Sequence, residues 1–351
     1  EYWNASWPKN TRNPETESLR GRETPGSTDP LAPDGLEPVP QIPDSLSPQI
    51  VLMRRRCEAD IRLFAEYFFA HLLGRRPGRL HRELFDLWRR SRTRGSLESR
   101  SGRRLALAAP RGAAKSTLKT LIFPIHATLY QLERYIVILS ATLKQARQRL
   151  HNIRSELETN ETLKVFYAAE LAQWDARTRD SLEVNKVRLD AYSAGTEIRG
   201  ISHRQWRPTL VLLDDVEDSQ AVRNMERRER LLQWYNEVIE NIGDTYTAIE
   251  IVGTLLHPDS LLARLLARPD FQSRTFRSIE QFAERADLWD QWRALFTNLD
   301  DPERGQTARD FFNRHRADML RGARVLWQDK EDYYDLMVQL VTKGRAAFFK
   351  E

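Results

Sequence analysis

Cysteine occurs once in this chain, at Cys57, so no disulfide can form within it, and the lone thiol fits a reducing compartment. The seven histidines are scattered and never fall four residues apart, the spacing that would set two ligands on one helix face. With no Cys/His cluster of metal-site spacing either, a zinc or other transition-metal centre is not expected. Long apolar runs are also missing, which excludes a bilayer-spanning helix. The first residues are polar and aromatic instead of a charged leader before an apolar stretch. The chain begins at Glu1 and not at Met, as expected of a fragment or a processed product. No internal repeat is visible.

What is present describes a folded protein with a heavily charged surface: 351 residues, 40% hydrophobic, 9% aromatic and 30% charged. That length holds one large α/β domain with appendages or two modest domains. The formal net charge is +5, with arginine far ahead of lysine. Guanidinium groups bind phosphates bidentately, so an anionic partner fits, although GC-rich coding bias produces the same composition. Net charge bears on association and says nothing about fold.

Residues 1–50 form the first expected region. Pro25, Pro30, Pro33, Pro38, Pro40, Pro43 and Pro48 recur at short intervals with almost no apolar periodicity. This predicts an extended arm, either a tether that wraps a neighbour or a plain linker. Residues 51–280 read as the main domain. Ile61, Phe64, Ala65, Phe68, Phe69 and Leu72 mark one helix face between Met53 and Leu73, and Leu80, Leu84, Phe85 and Trp88 mark a second helix. After the basic loop Arg90 to Arg104, an apolar run from Leu105 to Ala109 predicts a buried strand. The pattern then alternates: helix 116–130, strand 135–140, helix 143–158, strands 187–192 and 210–214, helix 226–242, strand 247–253. Continuous apolar strands imply a sheet covered on both faces, hence a doubly wound α/β domain. Residues 281–351 read as a small helical subdomain, with Trp289, Trp292, Leu295 and Phe296 on one side of a helix and Trp327, Tyr333, Leu336 and Met337 further on.

The apolar strand leads straight into Ala109-Pro110-Arg111-Gly112-Ala113-Ala114-Lys115-Ser116-Thr117. The Walker A pattern is G-x-x-x-x-G-K-[ST], in which backbone N–H groups cradle phosphates, the lysine reaches the β- and γ-phosphates and the hydroxyl holds Mg²⁺. Lys115 and Ser116 fill its last two positions, while Ala109 and Ala114 replace both consensus glycines and Gly112 alone remains inside the loop. Because a strand precedes this loop and a helix follows it, the helix N-terminus points at a bound phosphate. An ordinary strand-to-helix turn with a surface lysine is the plainer alternative.

Leu210-Val211-Leu212-Leu213-Asp214-Asp215 is a buried strand ending in two acids, the Walker B signature. Asp214 is the candidate for the Mg²⁺ shell, and either Asp215 or Glu217 for orienting and deprotonating the attacking water. A GTPase should carry N-K-x-D, but Asn185-Lys186-Val187-Arg188 has arginine at the acid position. The wide separation of Lys115 from Asp214 suits an additional-strand (ASCE) P-loop NTPase, with a mainly parallel central sheet flanked by helices.

Taken together, these blocks resemble the large terminase subunit of tailed bacteriophages, a motor that packages DNA into capsids. Arg111 stands where terminases carry arginine in this loop. Val137-Ile138-Leu139-Ser140-Ala141-Thr142, with Gln145 and Ala146, resembles their second-strand motif. Gly195-Thr196-Glu197-Ile198-Arg199-Gly200, then Arg207-Pro208, leads into the acid pair, and Ile251-Val252-Gly253-Thr254 matches their coupling motif. The resemblance covers about Ile61 to Ser278.

It implies ATP and Mg²⁺ as cofactors, adenine binding near His81 and Arg82, and γ-phosphate sensing at Gly253 and Thr254. It also implies an arginine that neutralises the transition state, Arg111 in cis or Arg199 and Arg204 across a subunit interface, with structural salt bridges as the alternative for the last two. The implied partners are double-stranded DNA, a portal protein, a small terminase subunit and further copies of the chain in a ring, in the cytoplasm of an infected bacterial host and away from any membrane. The family's nuclease domain has no counterpart here, so ATP hydrolysis without DNA cleavage is expected, and Trp327 to Glu351 reads as the lead-in to that domain. A helicase-like translocase and a non-catalytic nucleotide-binding scaffold are the rival readings.

Overall fold

A computed structural model describes residues 47–91, 97 and 100–348, all within one compact unit. The expected arm over residues 1–50 lies almost wholly outside the described residues, as do residues 92–96, 98 and 99 of the basic loop before Arg104. The last residues of the arm are helical, because Ser47 accepts a hydrogen bond from Ile50 N and Pro48 opens a helix that runs to Ala59. Proline is tolerated in a first helical turn, where its missing N–H has no partner to lose.

The single helix expected over residues 53–73 is three: Pro48–Ala59, Ile61–Phe68 and Ala70–Leu73. Asp60 causes the first break. Its carboxylate takes the amides of Arg62 and Leu63 at 2.9 and 3.3 Å, which ends one helix and caps the next. Gly74, with φ of 38°, stops the third.

Ten strands follow among the described residues: β1 Arg104–Ala108, β2 Tyr135–Ser140, β3 Trp174–Arg177, β4 Ser181–Val184, β5 Val187–Ser193, β6 Leu210–Asp214, β7 Ala248–Gly253, β8 Gln272–Thr275, β9 Ile279–Gln281 and β10 Arg324–Val325. The first eight form one sheet in the order β3-β4-β5-β2-β6-β7-β1-β8, parallel from β5 through β8. This is the additional-strand P-loop NTPase arrangement: β7 stands between β1, which leads into the phosphate loop, and β6, which ends in the acid pair.

Successive residues of each central strand enter opposite cores. Ile136, Ile138, Leu210 and Leu212 join a cluster with Phe64, Trp88, Phe123 and Leu150. Val137, Leu139, Val211 and Leu213 join another with Trp234, Tyr235, Ile239 and Leu265. Period-two alternation between two buried faces is why these strands read as unbroken apolar runs.

Two edges of the sheet escaped the sequence reading. The antiparallel β3–β4 hairpin and the polar strand β8, Gln-Ser-Arg-Thr, carry no apolar run to announce them. The near match to a guanine motif is the turn between β4 and β5, where Asn185 and Lys186 have φ of 51° and 62°. Two positive φ values are what a two-residue type I′ turn requires. The Asn185 amide then donates to Thr128 O and Leu129 O, which ties this turn to a helix end.

The helix expected over residues 116–130 is interrupted: an α-turn Lys115–Thr117, a π-helical stretch Leu118–Ile122, then α-helix Phe123–Leu129. Pro124 supplies the physical reason, since it lacks the N–H that an α-helix would give to the Thr120 carbonyl and its ring crowds that oxygen. The helix expected over 226–242 likewise passes from α (Met225–Trp234) to π (Tyr235–Ile239).

A third core joins Ile279, Trp289, Trp292, Phe312, Met319, Tyr333, Tyr334 and Met337, from β9 and the helices Ala286–Phe296, Arg304–Met319 and Tyr333–Lys343. The antiparallel pair β9–β10 was not foreseen in this subdomain. Trp327, the first residue of the segment read as a lead-in to a further domain, donates its indole N–H to Arg76 O at 2.8 Å.

Candidate nucleotide site

The phosphate loop leaves β1 with the Ala109 amide bonded to Gly253 O at 3.0 Å, so the ends of β1 and β7 stay in step. Gly112 and Ala114 then take φ of 72° and 56°. Ala114 occupies a consensus glycine position, and a Cβ in this left-handed region costs on the order of 1 kcal/mol. The loop keeps its shape at that expense, and the helix begins at Lys115.

Lys115 is buried and its ammonium lies 3.2 Å from Thr254 Oγ1 and 3.8 Å from Asp215 Oδ2. Ser116 Oγ donates to Asp214 Oδ1 at 2.9 Å across 98 residues of sequence, and Thr120 Oγ1 lies 3.0 Å from Asp214 Oδ2. Asp214 is 0% exposed. Burial pushes its carboxyl above the usual range, against the opposing pull of Arg149. One hydroxyl and one carboxylate on adjoining elements form a donor set that suits Mg²⁺, which takes one or two protein oxygens beside phosphate and water.

Asp215 and Glu217, equivalent in the sequence, are separated by the fold. Asp215 sits at φ of 47°, held by Asp215 N to Val252 O and Ala141 N to Asp215 O, with its side chain 40% exposed beside Lys115. Both Glu217 oxygens are committed: Oε1 accepts from Leu261 N at 2.7 Å and Oε2 from Leu262 N at 3.1 Å, which caps the helix Leu261–Leu266. Burial raises the Glu217 carboxyl, and those two amides oppose it. Gly253 sits tightly here, since a Cβ would lie 3.4 Å from Asp215 Oδ1 and 3.3 Å from Leu262 Cδ2.

A cleft of about 460 Å³ opens over these groups, lined by Arg111, Gly112, Lys115, Asp215 and Thr254 among others, with Ser116, Thr117 and Glu217 at its wall. Pro110 lies in the loop, its carbonyl accepting from Ala113 N at 3.4 Å. Arg199 and Arg204 are not part of this cleft lining. Arg199 is 80% exposed beyond the end of β5, near Glu197, whereas Arg204 lies 3.5 Å from Glu183 of β4.

His81 departs most from its expected role. It is buried, Nδ1 accepts from Gly78 N at 2.9 Å, Nε2 pairs with Ala113 O at 3.0 Å, and its ring meets Trp327 edge-on at 4.4 Å. With both ring nitrogens used inside the protein, His81 braces the phosphate loop from behind and offers no edge to a base. Burial accordingly lowers its pKa. Arg82 is exposed and donates to Pro77 O.

Three site residues escaped the sequence reading. Arg149 Nε lies 2.8 Å from Asp214 Oδ2, an ion pair whose N–H is poorly aligned for a hydrogen bond, so a guanidinium stands against the candidate metal-shell acid. Its signal was its place four residues after Gln145, on the same helix face. Thr120 had no signal beyond being one helical turn from Ser116. Lys330, whose ammonium bonds Gly112 O and lies over Trp327, had none, because 218 residues separate it from the loop.

The residues that resembled the second-strand motif have a local physical role. Thr142 Oγ1 accepts from Gln145 N at 3.3 Å and Gln145 Oε1 accepts from Thr142 N at 3.1 Å, a capping box that starts the helix Leu143–Thr159 at the rim of the cleft.

No protein-family model and no curated protein matches the chain. Among solved structures it is similar to the HK97 bacteriophage large terminase, at 14% identity over 66% of this chain and 47% of that one, with a TM-score of 0.36. It is similar to the large terminase of a thermophilic bacteriophage in complex with ADP, at 9% identity over 62% and 50%, TM-score 0.34. A Saccharomyces cerevisiae dbp5 variant, solved with ADP, matches at 11% identity over 78% and 67%, TM-score 0.36. The chain spans about half the length of those terminases. At this overlap the likeness carries no argument, and both the fold and the site are read from the chain's own residues.

Proposed function

We propose that this chain is the ATPase motor part of a terminase large subunit, which couples hydrolysis of Mg²⁺-ATP to movement of double-stranded DNA into a procapsid. The observation that carries the nucleotide half is the meeting of Ser116 with Asp214 at 2.9 Å, with Lys115 and Asp215 beside them and β7 between their strands. The order of motifs, from the phosphate loop through the Thr142 capping box and the acid pair to Gly253-Thr254, supports the terminase half.

In this reading the amides of residues 111–115 cradle the phosphates, and Lys115 leaves Thr254 and Asp215 to bridge the β- and γ-phosphates. Ser116 and Asp214 would hold Mg²⁺, which when bound draws charge from the phosphate oxygens. Asp215, the acid whose half-exposed carboxylate faces the cleft beside Lys115, orients the attacking water and takes its proton. Thr254, at the end of β7, exchanges its contact with Lys115 for the γ-phosphate. Arg111 is the cis cation for the developing charge, and Arg199 and Arg204 are left to a neighbouring copy. A portal protein, a small subunit and a ring of copies complete the proposal.

Steady-state phosphate release from the wild type and from Lys115→Ala tests it. Equal rates remove the enzyme reading and leave a nucleotide-binding scaffold. Unwinding of a labelled duplex in an ATP-dependent way, without translocation along intact duplex, favours a helicase-like translocase instead.

A further inference from the structure

A second hollow of about 300 Å³ lies away from the nucleotide cleft, lined by Lys144, Arg147, Gln148, His151, Arg154 and Arg179. The first five come from the helix Leu143–Thr159 and the last from the β3–β4 turn. Spacings of three, four and three place Lys144, Arg147, His151 and Arg154 in one row along the helix. Arg147 binds the Asp180 carboxylate through Nε and Nη2, and Arg154 donates to Thr178 O, so the row is fixed against the hairpin. Lys144, His151 and Arg179 are exposed.

We propose that this row binds the phosphodiester backbone of duplex nucleic acid. No aliphatic side chain and no Phe, Tyr or Trp is among the described residues that line the hollow, so it does not suit an apolar ligand. From Lys144 to Arg154 the helix rises about 15 Å, close to the axial rise of roughly four base pairs at about 3.4 Å each. The Arg147–Asp180 pair is half-exposed, so solvent screens it and a phosphate can compete for that guanidinium. Contacts of this kind carry no base information, as binding of arbitrary sequence demands.

The row also sits on the helix that borders the nucleotide. Gln145, near its start, lines the cleft, and Arg149, one turn on, reaches Asp214. One rigid helix thus carries a cation against the metal-binding acid on one side and a phosphate-binding row on another. The inference rests on the polynucleotide half of the proposed function and assigns it a surface.

The test is fluorescence anisotropy of a labelled random-sequence duplex with the 351-residue chain across a salt series. Lys144→Glu/Arg179→Glu should bind at least about tenfold more weakly near 0.1 M salt. Its log–log salt slope should be shallower by about 2, the loss of two phosphate contacts. The milder Lys144→Gln/Arg179→Gln should move in the same direction. Arg55→Glu/Arg316→Glu, with the same charge change at exposed positions on other helices, should stay within about threefold of wild type. All variants should bind a fluorescent ATP analogue as wild type does. If the first variant behaves like the Arg55/Arg316 control while wild type binds duplex, the row is not the site, an acidic protein partner becomes the better fit for it, and the motor reading stands. If wild type binds no duplex, the inference and the DNA half of the motor reading fall together. If wild type binds duplex through the row yet releases no phosphate, the inference stands and the motor reading falls.

Discussion

The two ends of the central strands treat charge in opposite ways. At the amino end Glu133, fully buried, is held by both Arg100 terminal nitrogens at 3.0 and 2.9 Å, and Thr209 Oγ1 accepts the amides of Arg134 and Tyr135. At the carboxyl end Lys115 has only a hydroxyl at 3.2 Å and a carboxylate at 3.8 Å, while Asp215 stands 40% exposed on a left-handed backbone. Glu133 is thus saturated with partners. Lys115 and Asp215 are under-committed, as suits groups that exchange partners with a ligand.

Removing a cleft acid should therefore cost rate, and removing an amino-end acid should cost stability. The largest effect expected is Asp215→Asn, which should lower phosphate release by about 10²- to 10⁴-fold with nucleotide binding retained. Glu217→Gln should leave turnover within about tenfold, its carboxylate being committed to a helix cap. Reversed ranks in steady-state assays would make Glu217 the base and undo the contrast between them.

Glu133→Ala should destabilise by about 3 kcal/mol, because it removes the carboxylate from the mostly buried Arg100 and leaves it the Thr209 carbonyl, and should leave turnover per folded molecule unchanged. Urea unfolding followed by active-site titration reads both quantities. Arg149→Ala strips the buried Asp214 of its cation and should cost about 1–3 kcal/mol without ligand. Calorimetry with Mg²⁺-ATP should show much of that loss restored, since a metal at Asp214 replaces the guanidinium; an equal deficit with and without ligand would make Arg149 purely structural. The smallest effect is expected of Ala114→Gly, where relief of the left-handed φ offsets the extra chain entropy of glycine to within about 1 kcal/mol. A denaturant midpoint shifted by more than that would show that the alanine supports the loop in another way.

The sequence by itself determined the elements whose signal is local. The bounds of β2 and β6 were readable because both faces of those strands are buried. The loop after β1 and the acid pair at the end of β6 were placed on their elements because the apolar runs that precede them are unbroken. Only the tertiary structure separated Asp215 from Glu217, turned His81 from a base contact into a brace, and brought Arg149 and Lys330 to the loop. The physical reason is that such roles depend on which amides, carbonyls and charges arrive from the far side of the fold. Glu217 meets amides 44 and 45 residues away and Lys330 a carbonyl 218 away, distances over which no local periodicity carries information.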